Sequence, residues 1–110
     1  MTTRKTDLLQ GTLDLMVLRL LRRNDLNGWD VTQAIRTVSN GILDVNYGSV
    51  YPALRRLESR GLVRAKWGAS ENNRRARYYT LTSAGRKQLT IEREEFDQLI
   101  LAIHKVLGVA

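Results

Sequence analysis

Between Asn46 and Leu81 the spacing of the apolar residues changes once, and the change falls at Gly61. Before that glycine, Val50, Ala53, Leu54 and Leu57 recur as one face of a helix over residues 46–61, which a glycine past the last turn terminates. After it, residues 62–67 alternate apolar with basic side chains, residues 68–75 are polar and turn-rich, and residues 76–81 resume a strand-like pattern of aromatic and β-branched side chains. A helix that runs straight into a two-stranded hairpin leaves few architectures open to a chain of 110 residues, which has material for one core. Pro52 belongs in the early part of that helix, because deeper inside it would remove a hydrogen bond and clash with the preceding turn.

The flanking segments narrow the choice further. From Leu8 to Arg23, a first helix places Leu9, Leu13, Met16, Val17, Leu20 and Leu21 on one face. Leu8, Leu15 and Leu18 fall near the opposite face, which a surface helix leaves polar, so another subunit is expected to cover them; the alternative is a helix surrounded by the chain's own small core. Residues 24–28 form a turn cluster. Trp29, Val31, Ala34, Ile35 and Val38 then mark a short second helix ending at Asn40-Gly41, and Ile42, Leu43 and Val45 suggest a minor strand. Thr82 can cap a final helix on which Leu89, Phe96 and Ile103 recur at heptad spacing, joined by Leu99, Ile100, Val106 and Leu107. Helix, helix, short strand, helix and hairpin is the order of a winged helix-turn-helix. The fold class is therefore α+β, mostly α, with the winged helix-turn-helix over residues 1–82. A C-terminal dimerisation helix over 83–110 is part of the same compact unit.

The formal net charge is +7, and residues 55–82 hold eight basic and two acidic side chains. Taken alone, charges on a hairpin usually only keep it solvated; here they follow directly on a basic helix face, which points to a polyanion. The third helix presents Pro52, Arg55, Arg56 and Ser59 opposite its apolar face, flanked by Ser49 and Tyr51. A helix fits the roughly 12 Å major groove of double-stranded DNA, where arginine pairs with guanine and serine or tyrosine reaches base edges or phosphates. Arg74 and Arg75 at the hairpin tip, with Arg77 beside them, can lie along phosphates or enter a narrow minor groove.

Other functions find little material. The chain has no cysteine, one histidine and scattered carboxylates, so no catalytic constellation, metal site or cofactor is expected. His104 has no carboxylate placed to orient it, and the acidic run Glu92, Glu94, Glu95 and Asp97 reads as a solvated face. No apolar stretch approaches a membrane span and the N-terminal residues lack a signal-peptide pattern, which leads to an expected cytoplasmic location and no membrane partner. The rival reading is a winged helix that contacts other proteins and has no specific DNA binding, since fold alone does not decide function.

Two blocks carry a family resemblance. Residues 47–63, from Tyr47-Gly-Ser-Val-Tyr-Pro to Arg60-Gly-Leu-Val63, and residues 74–85, Arg74-Arg-Ala-Arg-Tyr-Tyr to Ser83-Ala-Gly85, resemble the recognition helix and wing of the PadR family of transcriptional regulators. Residues 10–15 and 27–31 are similar to its first and second helices, although Asn27-Gly28-Trp29 stands where many members have His-Gly-Tyr. One helix after the winged unit, instead of a multi-helix domain, is similar to the short subgroup. The resemblance implies a homodimer in which the last helix docks beside the partner's first helix. On that basis Leu8, Leu15, Leu18, Leu89, Phe96, Leu99, Ile103 and Val106 are expected at the interface. It also implies a pseudo-palindromic operator and repression released by a small aromatic effector. In multidrug-binding relatives a tryptophan of the last helix stacks on the ligand, and Phe96 stands at that place; it either stacks likewise or only packs the dimer seam, and its heptad position favours the seam.

Overall fold

Across the described residues, 5–108 with side chains from residue 12, the computed structural model runs α1 (Lys5–Leu21), β1 (Leu26–Asn27), α2 (Gly28–Val38), α3 (Tyr47–Ser59), β2 (Val63–Ala69), β3 (Arg75–Leu81) and α4 (Ser83–Leu107). Local chemistry sets these bounds. Asn27, Asn46 and Thr82 hold extended backbones before α2, α3 and α4. Their side-chain oxygens accept the amides of Asp30 (2.8 Å), Ser49 (3.1 Å) and Gly85 (3.0 Å), groups that the helices leave unpaired. Gly61 ends α3 at φ 72°, where its amide donates to the Glu58 carbonyl and that of Leu62 to the Leu57 carbonyl. That pair of bonds needs a left-handed residue, which glycine supplies without steric cost.

The hairpin turns the chain back over α3. β2 and β3 pair antiparallel from Val63 opposite Leu81 to Ala69 opposite Arg75. β1 lines the other edge of β3, with Leu26 opposite Tyr79 and Asn27 opposite Tyr78, giving the order β1-β3-β2. The third strand therefore lies before α2 and not at Ile42, Leu43 and Val45. Those residues stay in a loop, with Ile42 outward, Val45 buried and the Leu43 amide donating to Ser39 Oγ at 3.0 Å. Two ladder residues are too few to show a period, so β1 reads in the sequence as a turn.

The core is built around α1, which packs against α2, α3, β3 and α4. Leu13, Leu15, Val17, Leu18 and Leu21 are all buried, and Met16 and Leu20 partly so. This corrects the expectation for Leu18, which is fully buried within its own chain because α1 is covered from several directions; Leu15 is mostly buried as well. Leu8 lies outside the residues described with side chains. Gly85 lets α4 start hard against the hairpin, since a Cβ there would run into the Leu62 carbonyl oxygen and reach 2.6 Å from Leu81 Cδ1. Leu89 closes the core from α4 and Phe96 packs against its edge, whereas residues 101–108 are exposed. At 25 residues α4 is about 37 Å long, so its outer part extends past the core it helps to close. No helix among the described residues is long and apolar enough to cross a membrane.

Candidate nucleic-acid interface

α3 buries Val50, Ala53, Leu54 and Leu57 and leaves the opposite face open. Exposed there, at helical intervals, are Tyr51 and Pro52, Arg55 and Arg56, and Ser59. Ser49 is only half exposed, and its amide is taken by the Asn46 cap. Pro52 sits within the helix, so the carbonyl one turn earlier, at Gly48, receives no amide from it.

The arginines that look alike in the sequence have different surroundings. Arg55 leans back over Tyr51, its Nη1 donating to the phenol oxygen at 3.1 Å, and this hydrogen bond is the main reason its pKa lies above the ordinary arginine value. Arg56 does not point freely outward. It donates from Nη2 (2.8 Å) and Nε (3.3 Å) to the two carboxylate oxygens of Asp14, a fork-to-fork pair that ties α3 to α1 and raises its pKa, chiefly through that hydrogen bond. Arg77 reaches from β3 to Glu58 on α3 at 3.1 Å, fastening the hairpin to the helix. Each of these two guanidiniums is thus engaged by a carboxylate of its own chain, Arg56 bracing α3 against α1 and Arg77 bracing the hairpin against α3.

At the wing tip the Ser70 amide donates to the Arg74 carbonyl (2.8 Å) and the Asn73 amide to the Ser70 carbonyl (2.9 Å), with Asn73 at φ 60°. Arg74 is exposed there. Arg75 lies over the Trp67 ring, 4.6 Å from its centroid, a cation–π distance. Between wing, α3 and the start of α2 is a cleft of about 510 Å³, lined by Trp29, Tyr47, Tyr51, Trp67, the three wing arginines and Tyr79. Periodicity alone does not mark Trp29, Tyr47 and Trp67 as surface residues. Trp29 carries the apolar signal of a core position in α2, and Trp67 that of the inner face of a strand. The hairpin, however, extends beyond the core, so its inner face there opens onto the cleft. The Tyr79 hydroxyl is buried at the cleft and lacks a hydrogen-bond partner among the described residues.

On another side, α1, α2 and α4 enclose an apolar groove of about 600 Å³, lined by Leu15, Met16, Leu20, Val38, Leu89 and Phe96 among others. Of the other residues expected at a dimer seam, Leu99, Ile103 and Val106 are exposed along the outer part of α4. The structure thus brings Phe96 and Leu89 together with α1 but leaves the last three without cover.

The model of the transcriptional regulator PadR-like family matches residues 17–91. The chain belongs to the PadR-like family. It is similar in structure to a transcriptional regulator from Clostridium thermocellum, with 27% identity, a TM-score of 0.82, and coverage of 94% of this chain and 97% of the other. A PadR family transcription regulator from Clostridium difficile matches at 26% identity and a TM-score of 0.74, covering 87% of this chain and 98% of its own. In sequence the chain is 26% identical to the negative transcriptional regulator PadR of Bacillus subtilis over 70% of its length, and spans only 42% of that longer relative. Family and fold are those of DNA-binding transcriptional regulators and not of enzymes. The match takes in α2, α3, the hairpin and the start of α4, the elements that frame the cleft and the exposed helix face.

Proposed function

We propose that the chain represses transcription as a homodimer that lays α3 in successive major grooves of a pseudo-palindromic operator, with the wings on the flanking backbone, until a small aromatic effector releases it in the cytoplasm. The observation that carries the DNA reading is the shared direction of two basic surfaces: Tyr51 of α3 and Arg74 and Arg75 of the wing line one cleft, and Arg55 continues from Tyr51 along the open helix face. Arg55 is the base reader in this account, with Pro52 and Ser59 beside it. Tyr51 and Ser49 hold the register through phosphates, Arg74 and Arg75 supply charge, and Arg56 and Arg77 keep helix and wing in place.

Dimerisation is supported by two complementary features, an apolar groove beside α1 and an outer α4 that exposes Leu99, Ile103 and Val106. Exposed apolar surface of this extent is a signature of an interface. Repression is supported by the relative named as a negative regulator, and by the obstruction that a dimer across an operator presents. An effector site near Phe96 is supported by its half-buried ring in the groove wall. The test is selection of bound sequences from a random duplex pool. A two-fold motif with half-sites about ten base pairs apart, or a multiple of it, is the expected result. Enrichment of no sequence, with weak binding that vanishes as salt rises, would remove the operator reading.

A further inference from the structure

We infer that the cleft between wing and α3 seats one strand of the DNA backbone, with Trp29 and Trp67 packing against its sugars. The inference rests on the DNA reading above and assigns to it a part that salt does not screen.

The chain's two tryptophans both line this cleft, and they are 61% and 59% exposed. Large aromatic faces left in water mark surface that a partner covers. The charges around them select the partner: among the described residues the cleft is lined by three arginines and no carboxylate, and while Arg77 is paired with Glu58 on α3, no ion pair engages Arg74 and Arg75. A bare anion would be met by the arginines and leave the rings unused, and an apolar partner would leave the arginines unpaired. A nucleic-acid strand meets both, because its phosphates alternate with apolar sugar faces. Arg75 already lies over the Trp67 ring, which holds a cation against an apolar surface and sets the two types of interaction side by side.

The two types have different salt signatures. Arginine–phosphate pairs release counterions, so each adds about one to the slope of log affinity against log salt. Ring–sugar packing buries apolar area and leaves that slope unchanged. Binding of a labelled duplex is measured by anisotropy at several salt concentrations for the unmodified protein, Trp29→Ala, Trp67→Ala and Arg74→Ala, each checked for helical content by circular dichroism. Trp29→Ala and Trp67→Ala should weaken binding roughly three- to tenfold at every salt concentration with an unchanged slope, the scale set by about 50 Å² of apolar burial per ring. Arg74→Ala should lower the slope by about one. Because no tryptophan lies elsewhere in the chain, emission excited selectively from tryptophan reports on the cleft, and it should shift and become less accessible to acrylamide as duplex saturates the protein. If the unmodified protein binds duplex while its emission and acrylamide accessibility stay constant, or if both tryptophan variants bind as it does, the rings serve another partner and the inference fails. If the unmodified protein binds no duplex at all, the DNA reading itself fails with it.

Discussion

The Tyr79 hydroxyl is buried without a hydrogen-bond partner among the described residues, and burial pushes its pKa above the ordinary tyrosine value. An unpaired buried hydroxyl costs free energy that a phenylalanine would not incur, so Tyr79→Phe should leave stability unchanged or raise it by up to about 1 kcal/mol. The raised folded pKa sets a pH dependence. Its contribution to stability is full below the unfolded value near 10 and is lost as pH rises from there through the folded value. Thermal melts at pH 8 and at higher pH should therefore show a smaller alkaline loss for Tyr79→Phe than for the unmodified protein; equal losses would place the alkaline sensitivity elsewhere. The arginines of α3 make the second comparison. Arg56→Ala leaves the mostly buried Asp14 carboxylate unpaired, and should lower unfolding free energy by about 1 kcal/mol. Arg55→Ala should leave urea melts unchanged and weaken operator binding by about 1 to 3 kcal/mol for each base that the arginine reads. Nothing in the sequence separates these neighbours. Asp14 precedes Arg56 by 42 positions and Glu58 precedes Arg77 by 19, so which arginines become braces is decided by how the helices cross.

Elements buried on one face are legible because their periodicity records that face. α3 exposes one side and buries the other, the hairpin alternates, and α4 keeps its heptad apolar residues even where they emerge from the core. α1 defeats the same reasoning. Leu15 and Leu18 lie off its main stripe and so read as surface for a partner, but a helix covered on several sides has no face that must be polar. β1 escapes for the opposite reason, since Leu26 and Asn27 are too short a run to alternate. At this scale Gly85 yields a prediction. Gly85→Ala would force the start of α4 away from the Leu62 carbonyl, and should cost about 1 to 3 kcal/mol in urea unfolding through overpacking. Ser83→Ala, on the exposed first turn of the same helix, should change little. Similar small effects from both would mean that the helix end shifts without consequence.

For the whole molecule the question is what covers the outer part of α4. Its inner part is held by the core through Leu89, while Leu99, Ile103 and Val106 lie in solvent. A second copy can offer the groove beside α1 to these residues and receive its own α4 in return, and such a two-fold exchange closes on itself. Two substitutions on the same helix separate this arrangement from a general need for apolar residues. Ile103→Asp places a charge at a position that is 43% exposed in the single chain, so the folded subunit can tolerate it. In the proposed seam that charge is buried and unpaired, at a cost of several kcal/mol. Leu89→Asp puts the charge into the chain's own core, where Leu89 is 5% exposed, and should unfold the subunit whatever its oligomeric state. Light scattering should therefore find a dimer for the unmodified protein and a monomer for Ile103→Asp, whose circular dichroism keeps the helical signal that Leu89→Asp loses. The monomer should also lose most of its affinity for a two-half-site duplex, because each α3 then binds without the effective concentration supplied by its partner. An unmodified protein that is monomeric at micromolar concentration, or an Ile103→Asp variant that remains a dimer, would move the interface away from α4.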